Sequence, residues 1–263
     1  MTQIEIGTCG YHYTDWIGPV YPEGTPKTDY LRLYAGRFPT VELDYAYYTM
    51  PTAAQLANML ETGPELTFSI KAHETLTHKV NPDTWEGDAR TYREALKPLL
   101  QARRLGAVLF QFPYSFHYEP DQRRYLDKVL SFFADVPLAV EFRNAEWINN
   151  RVIDALRNRN AALVSLDMPE LKGLPPALDT VTAPLAYLRF HGRNGETWWG
   201  SDAAARYDYL YTEAELETWA GRIKQIAVKA DRVLVYFNNH WRGQAVRNGE
   251  MLIAILQRAG LLG

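Results

Sequence analysis

The stretch Leu138-Ala-Val-Glu-Phe-Arg143 decides the fold, because it is an apolar run that ends with two ionisable residues. Side chains alternate across a β-strand, so Ala139, Glu141 and Arg143 share one face and the apolar residues between them share the other. A central strand covered on both sides would hold the two charges in a confined space, which is costly unless they pair or bind a ligand. Several other predicted strands end in the same way, and this repetition predicts both the fold and the site.

Eight short apolar runs alternate with segments of helical spacing along the chain. The runs predicted to form strands are 4–10, 40–44, 66–71, 107–112, 138–143, 162–167, 185–191 and 233–237. The segments predicted to form helices are 28–38, 52–62, 88–104, 120–134, 152–159, 212–229 and 243–259. Strict alternation of strand and helix favours parallel strands joined by helical crossovers.

This order of elements predicts an α/β protein with a TIM-like (β/α)8 barrel. Eight strands with helices between them in 263 residues match the usual size of such a barrel, and no linker divides the chain, so residues 1–263 are predicted to form a single domain. Prolines and glycines in 168–184 predict a reduced or missing helix between strands six and seven. A doubly wound open sheet is the alternative, but Gly7-Thr-Cys-Gly10 lacks the G-x-G-x-x-G spacing of a dinucleotide-binding turn.

The amino-acid composition limits the classes of protein to which the chain can belong. The net charge of −3 gives no bulk attraction to nucleic acid or membranes, whereas 17 Tyr and 7 Trp indicate a large core or a recognition cleft. Cys9 is the single cysteine, so no intramolecular disulfide or multi-cysteine zinc site can form. The chain shows no basic leader and no apolar stretch of membrane-spanning length, and we expect a soluble cytoplasmic protein with no membrane partner.

Polar residues cluster where the predicted strands end, which is the rim that carries the active site in barrels of this kind. These residues are Glu42, Asp44, Lys71, His73, Gln111, Glu141, Arg143, Asp167, Arg189, His191, Asn238 and Asn239. A single polar residue at a strand end is commonly a turn residue, but chance would scatter such groups over both rims. The set as a whole therefore indicates a functional site.

The cations at this rim predict an anionic substrate, most plausibly one that contains a phosphate or phosphodiester. The predicted catalytic acids and bases are Glu141, Asp167 and His191. The predicted substrate-binding residues are Tyr11, Lys71, Gln111, Arg143, Trp147, Arg189, Arg193 and Asn238. Arg193 lies in a Gly-Arg-Asn-Gly turn after strand seven, where barrels often bind phosphate.

Four other interpretations of the same residues stay open. Charges two residues apart, such as Glu141 and Arg143, could form an inward salt-bridge lattice that is purely structural. Glu141 facing a second carboxylate, beside aromatic rings, would suit a carbohydrate-processing hydrolase. Loop aromatics with basic residues would suit a nucleic-acid-binding module. No cofactor is predicted, since a local metal motif is absent and nearby cations compete for the carboxylates, but a divalent metal remains an open alternative.

Several motifs, in the same order along nearly the whole chain, resemble the YecE-like family (domain of unknown function 72). The segments that carry the resemblance are Gly7–Tyr11, Val41–Tyr48, Phe68–Ala72 with His78, Gln111–Pro113, Val140–Arg143 with Trp147, Leu188–Gly192 and Phe237–Asn239. The resemblance implies a TIM-like barrel but no activity. Asp44-Tyr45 and Cys9 depart from the family's pattern, which more often has Asn with a small residue and Ser at those places.

Overall fold

The computed structural model of the protein describes residues 2–200 and 203–263. Within these residues the sheet contains nine parallel strands, in the spatial order β6-β5-β4-β3-β2-β1-β9-β8-β7. The strands are β1 (Gln3–Cys9), β2 (Thr40–Leu43), β3 (Thr67–Lys71), β4 (Leu105–Phe112), β5 (Leu138–Phe142), β6 (Ala161–Leu163), β7 (Ser165–Asp167), β8 (Leu185–Phe190) and β9 (Arg232–Phe237). The predicted TIM-like barrel is confirmed.

The predicted sixth strand is divided into two halves, and this division closes the barrel. Leu163 of β6 pairs with β5, whereas Ser165 of β7 pairs with β8 on the other side. Val164 lies between the halves and donates its N–H to the carbonyl of Val140 at 2.9 Å. The two edges of the sheet are therefore successive parts of the same run of chain.

Helices cover the outside of the barrel. In the described residues they are α1 (Tyr30–Ala35), α2 (Ala53–Thr62), α3 (Trp85–Ala95), α4 (Lys97–Gln101), α5 (Pro120–Phe132), α6 (Asn150–Arg157), α7 (Ala203–Arg206), α8 (Glu213–Ala227) and α9 (Gln244–Arg258). Residues 168–184, all of them described, form no helix, as predicted. The predicted helix 88–104 is interrupted between α3 and α4, because Pro98 has no N–H with which to continue the α3 ladder.

The strands bury side chains on both faces, and period-two alternation assigns each residue to one face. In β5 the apolar side chains of Leu138, Val140 and Phe142 pack outward in the main hydrophobic cluster under the helices. Ala139 belongs to the second, inner cluster, which lies inside the barrel. Glu141 follows two residues later on the same inner face and is fully buried. The barrel interior is thus apolar for part of its length and then becomes charged.

None of the described helices has the length and apolar character needed to cross a membrane.

Candidate functional site

Arg189 lies at the centre of a charged layer inside the barrel, with its side chain only 1% exposed. It donates from Nη1 to Oε2 of Glu141 at 2.7 Å and from Nη2 to Oε1 of Glu42 at 2.6 Å. Both carboxylates are 0% exposed, so one guanidinium from β8 connects carboxylates from β2 and β5. This arrangement meets the condition under which buried charges are tolerated, namely that each one is paired.

Glu141 has both carboxylate oxygens occupied by arginines. Its Oε1 lies 2.5 Å from Nε of Arg143, and its Oε2 accepts from Arg189. Burial alone would raise the pKa of Glu141, but Arg143, Arg189 and the adjacent His191 hold that pKa well below its ordinary value. Glu141 is therefore ionised and fixes the position of Arg143.

Glu42 has a different electrostatic balance. Its pKa is raised to about 7 as the net result of burial, which is the largest cause, and of Asp44, against the opposing effects of Arg189 and the hydroxyl of Tyr187. Tyr187 donates to Oε2 of Glu42 at 2.6 Å. Of the two carboxylates, Glu141 stays ionised, and Glu42 is the one whose pKa lies near neutral pH.

His191 is fully buried between Asn238 and Arg143. The side-chain amide nitrogen of Asn238 lies 3.0 Å from its Nδ1, which leaves Nε2 as the ring nitrogen that faces the charged layer. That nitrogen lies 3.4 Å from Oε1 of Glu141 and 3.2 Å from Nη2 of Arg143. Burial, followed by Arg143, lowers the pKa of His191 to about 3, so the ring is neutral at physiological pH.

A cavity of about 260 Å³ opens above this layer at the carboxyl ends of the strands. Three cations line it, namely Lys71, Arg143 and Arg206, and no carboxylate is found among its described lining residues. Lys71 Nζ lies 4.3 Å from the ring centroid of Tyr47, and no ion pair of Lys71 is present in the described part of the chain. The mouth of the barrel is therefore a cationic cavity.

Aromatic rings form much of the wall of this mouth cavity. They are Tyr47, Tyr48, Tyr114, Trp198, Trp199 and Tyr207. Arg143 lies 5.5 Å and Arg206 5.9 Å from the ring centroid of Trp198, so cation and ring surfaces alternate. Tyr48 and Trp199 are 77% and 53% exposed, which leaves large flat surfaces at the rim. Such a wall suits a ligand that contains a ring or a sugar beside its charge.

Of the predicted site residues, Lys71, Gln111 and Arg143 line the mouth cavity directly. Glu141, Arg189, His191 and Asn238 lie in the buried layer, where they contact one another. The salt-bridge lattice that the sequence offered as an alternative is therefore present. It lies beneath the mouth cavity and does not fill it.

Asp167 faces outward and lies apart from this group. It accepts two hydrogen bonds from Nε of Arg193 and one each from Arg193 Nη2, the Tyr211 hydroxyl and Trp219 Nε1. Trp219 belongs to α8, outside the sheet. Asp167 and Arg193 therefore pair with each other in the helical layer, and neither lines the mouth cavity.

Trp147 and Tyr11 also lie outside the mouth. Trp147 is 1% exposed and stacks between Phe142 and Phe116, with ring centroids 4.7 and 5.0 Å away. Tyr11 packs against Tyr34 at 6.1 Å between centroids and does not line the mouth cavity. The structure thus places Trp147 in the hydrophobic core, although the sequence predicted substrate contact there.

The sequence-based assignment of roles missed His78, Arg206 and the wall aromatics. Nδ1 of His78 is 2.9 Å from the hydroxyl of Thr77, and the ring meets Tyr47 edge-on at 4.8 Å. Its Nε2 has no hydrogen-bond partner among the described residues. Burial, followed by Lys71 and Arg143, lowers the pKa of His78 to about 4.

One cluster has donor atoms at metal-binding distances. Single ligand atoms of Cys9, Glu42 and Asp44 lie within 4.8 Å of one another. However, Nη2 of Arg189 is 2.6 Å from the Glu42 carboxylate and 3.4 Å from Cys9 Sγ, so a guanidinium already neutralises the cluster. The donor set does not fit a resident metal while Arg189 keeps this position.

The family model described as a protein of unknown function, DUF72, matches residues 5–261. The chain belongs to the DUF72 family. The resemblance to the YecE-like family is therefore confirmed, and the match extends over almost the whole barrel.

Two kinds of relative agree with the family assignment. The DUF72 chain is 29% identical to the UPF0759 protein YunF of Bacillus subtilis, over 96% of this chain and 94% of that protein. A crystal structure of a DUF72 family protein from Thermotoga maritima is 33% identical, with a TM-score of 0.88, and the match covers 97% of this chain and 99% of that one. A DUF72 family protein from Enterococcus faecalis is 26% identical, with a TM-score of 0.87, and the match covers 97% and 96% of the two chains.

Proposed function

We propose that this DUF72 protein is an enzyme that acts on a small phosphate-bearing substrate in the mouth cavity. The observation that carries the proposal is the convergence of Lys71, Arg143 and Arg206 on one cavity whose described lining holds no carboxylate. Lys71 and Arg206 have no ion-pair partner among the described residues, and Arg143 shares Glu141 with Arg189. Such cations beside aromatic walls suit a phosphate joined to a ring or sugar. We place this activity in the cytoplasm, where the lone thiol of Cys9 stays reduced.

The orientation of Arg143 supports an anion site. Its Nε is held by Glu141, and its Nη2 faces Nε2 of His191 at 3.2 Å. His191 is neutral at physiological pH, because its pKa is lowered to about 3, so its ring adds no charge that would compensate Arg143. An oxygen of a bound phosphate would satisfy the Arg143 donor, so the buried layer prepares the guanidinium for a ligand.

His78 is the side chain best suited to move a proton in this site. It lines the mouth cavity beside Lys71 and is neutral at physiological pH, because its pKa is lowered to about 4. The Thr77 hydroxyl engages Nδ1 and leaves Nε2 for a substrate or a water molecule. A bound phosphate dianion would raise the pKa of His78 toward neutrality, which is the range required for general acid–base chemistry.

The geometry weighs against the carbohydrate hydrolase with paired carboxylates. Glu42 and Glu141 do face the same interior, but the guanidinium of Arg189 bridges them. Both are fully buried, and both oxygens of Glu141 are held by arginines. A nucleophile and an acid need access to the sugar between them, so we favour the phosphate-bearing substrate.

Replacing Lys71 with methionine tests the proposal directly. Removing one charged contact is expected to weaken inorganic phosphate binding about 10-fold to 100-fold, as measured by isothermal titration calorimetry. Lys224→Met is the matched control, because Lys224 is an exposed lysine of α8 outside the cavity. Equal affinity in Lys71→Met and wild type, or no phosphate binding by wild type, would contradict the proposed function.

The same substitution has an expected effect on His78. Lys71 is, after burial, the second cause of the low His78 pKa, so Lys71→Met should raise that pKa from about 4 toward the ordinary value. Titration of the ring resonances by NMR measures the shift, with Lys224→Met as the control variant. A His78 pKa that stays the same or falls in the variant would show that Lys71 does not act on this ring.

A further inference from the structure

We infer that a groove beside the mouth binds the second half of the same substrate, an inference that rests on the proposed function. The groove has a volume of about 500 Å³ and runs between the segment after β3 and helix α5. His78 and Pro113 line both this groove and the mouth cavity. The two spaces therefore adjoin, and His78 stands at their shared boundary.

Part of the groove lining is apolar and aromatic. Trp85, Phe116 and Tyr125 line it, and Trp85 is 6% exposed with its ring edge-on to Tyr125 at 5.5 Å. The Tyr125 hydroxyl donates to the carbonyl of Leu76 at 2.7 Å, which fixes the ring in place. A preformed flat surface of this kind suits a ring or an apolar segment of a ligand.

On the α5 side of the groove, some polar side chains have no ion-pair or hydrogen-bond partner among the described residues. Asp121 pairs with Arg124, but no ion pair of Lys128 is present among the described residues. The side-chain oxygen Oε1 of Gln122 is buried without a hydrogen-bond partner. The groove thus offers one uncompensated cation and one unsatisfied acceptor, which suit a second acidic group and a hydroxyl or N–H donor.

Together these features define an elongated small molecule as the occupant. Its phosphate lies among the mouth cations, its flat or apolar middle passes His78, and its second acidic group reaches Lys128. The bond on which the enzyme acts then lies near the shared boundary, within reach of His78.

The test compares inorganic phosphate, phenyl phosphate, and phenyl phosphates whose para position carries a carboxyalkyl chain of increasing length. Phosphate reports on the mouth alone, and the carboxylated probes report on both spaces. We expect at least one carboxylated probe to bind wild type about threefold to fivefold more tightly than phenyl phosphate, the gain typical of an exposed ion pair. Lys128→Met should abolish that gain and leave phosphate affinity unchanged, whereas Lys224→Met should preserve both.

A second variant fills the groove without removing charge. Ser115 lines the groove and not the mouth cavity, so Ser115→Trp should weaken the carboxylated probes and spare inorganic phosphate. Phosphate binding with no gain for any carboxylated probe, or a gain that survives in Lys128→Met, overturns the groove assignment alone. Failure of wild type to bind phosphate overturns both the groove and the proposed function.

Discussion

Arg189→Met is expected to destabilise the protein by about 3–5 kcal/mol, because it leaves buried carboxylates without their shared cation. Glu141 keeps Arg143, but Glu42 keeps only two neutral donors, the hydroxyl of Tyr187 and the thiol of Cys9. A loss of this size is a large fraction of the roughly 5–15 kcal/mol that stabilises a typical domain. Urea denaturation followed by circular dichroism measures it.

Two further variants distinguish the effect of removing Arg189 from the effect of removing an arginine in general. Arg258→Met removes a surface partner of Glu213, where the two side chains are 59% and 57% exposed, and should cost less than about 1 kcal/mol. Adding Glu42→Gln to Arg189→Met should recover part of the stability, because it removes the orphaned charge. If Arg189→Met cost no more than the surface variant, the buried layer would not be held by this arginine.

The cost of Arg189→Met should also depend on pH. Arg189 opposes the rise of the Glu42 pKa above 4.5, so its removal raises the folded-state pKa further. A carboxyl with a raised folded-state pKa contributes stability below its unfolded pKa and loses it as pH increases through the folded value. The variant should therefore be closest to wild type at about pH 5 and furthest from it at about pH 8.

Asp167→Ala is expected to cost about 3–5 kcal/mol of folding free energy and to leave phosphate binding unchanged. The carboxylate accepts from the Tyr211 hydroxyl at 2.6 Å and from Trp219 Nε1 at 2.5 Å. Both donors belong to side chains that are 1% exposed, so the alanine variant leaves them buried and unsatisfied. Arg193 is 37% exposed and can be solvated, so it adds less to the loss.

This variant distinguishes a structural from a catalytic Asp167. Stability is measured by denaturation and phosphate affinity by calorimetry on the same folded sample. Arg157→Met serves as control, since its pair with Asp154 on α6 is exposed, at 53% and 67% of the two side chains. A stable Asp167→Ala protein with weakened phosphate binding would restore the role that the sequence predicted for this residue.

Period-two alternation was sufficient to predict much of the buried layer. Leu138, Val140 and Phe142 are large and apolar, so they identify the outer face of β5, and Glu141 must then face inward. The same reasoning holds for β8, where Arg189 and His191 follow inner-facing Tyr187. Sequence could not decide whether the charges would meet one another or a ligand, because that depends on distances across the barrel.

The inward-facing side chains of a strand were harder to predict where its two faces did not differ clearly in polarity. In the sixth strand Ala162, Val164 and Leu166 alternate with Leu163, Ser165 and Asp167, and each set contains a leucine. The structure turns the apolar set inward and leaves Asp167 among the outer helices.

The positions of loop side chains were harder still to predict, because no periodicity constrains them. Trp147 follows a strand at the mouth end, yet it folds outward onto Phe142. Arg206 lies on the short helix α7, which follows a long irregular stretch and was not predicted. One of the three cations of the mouth, and the choice of which loop aromatics form its wall, therefore emerged only from the three-dimensional arrangement.

The divided sixth strand has a consequence for how the barrel can be opened. Three residue pairs join β5 to β6 and three join β7 to β8, and the chain at Val164 connects these two ladders covalently. The cylinder is thus completed by a peptide linkage between edges, with no ladder of hydrogen bonds between β6 and β7. A break in the chain at Val164 would leave every strand ladder intact and remove the covalent link between the two edges of the sheet, so that packing between β6 and β8 alone would keep the cylinder closed.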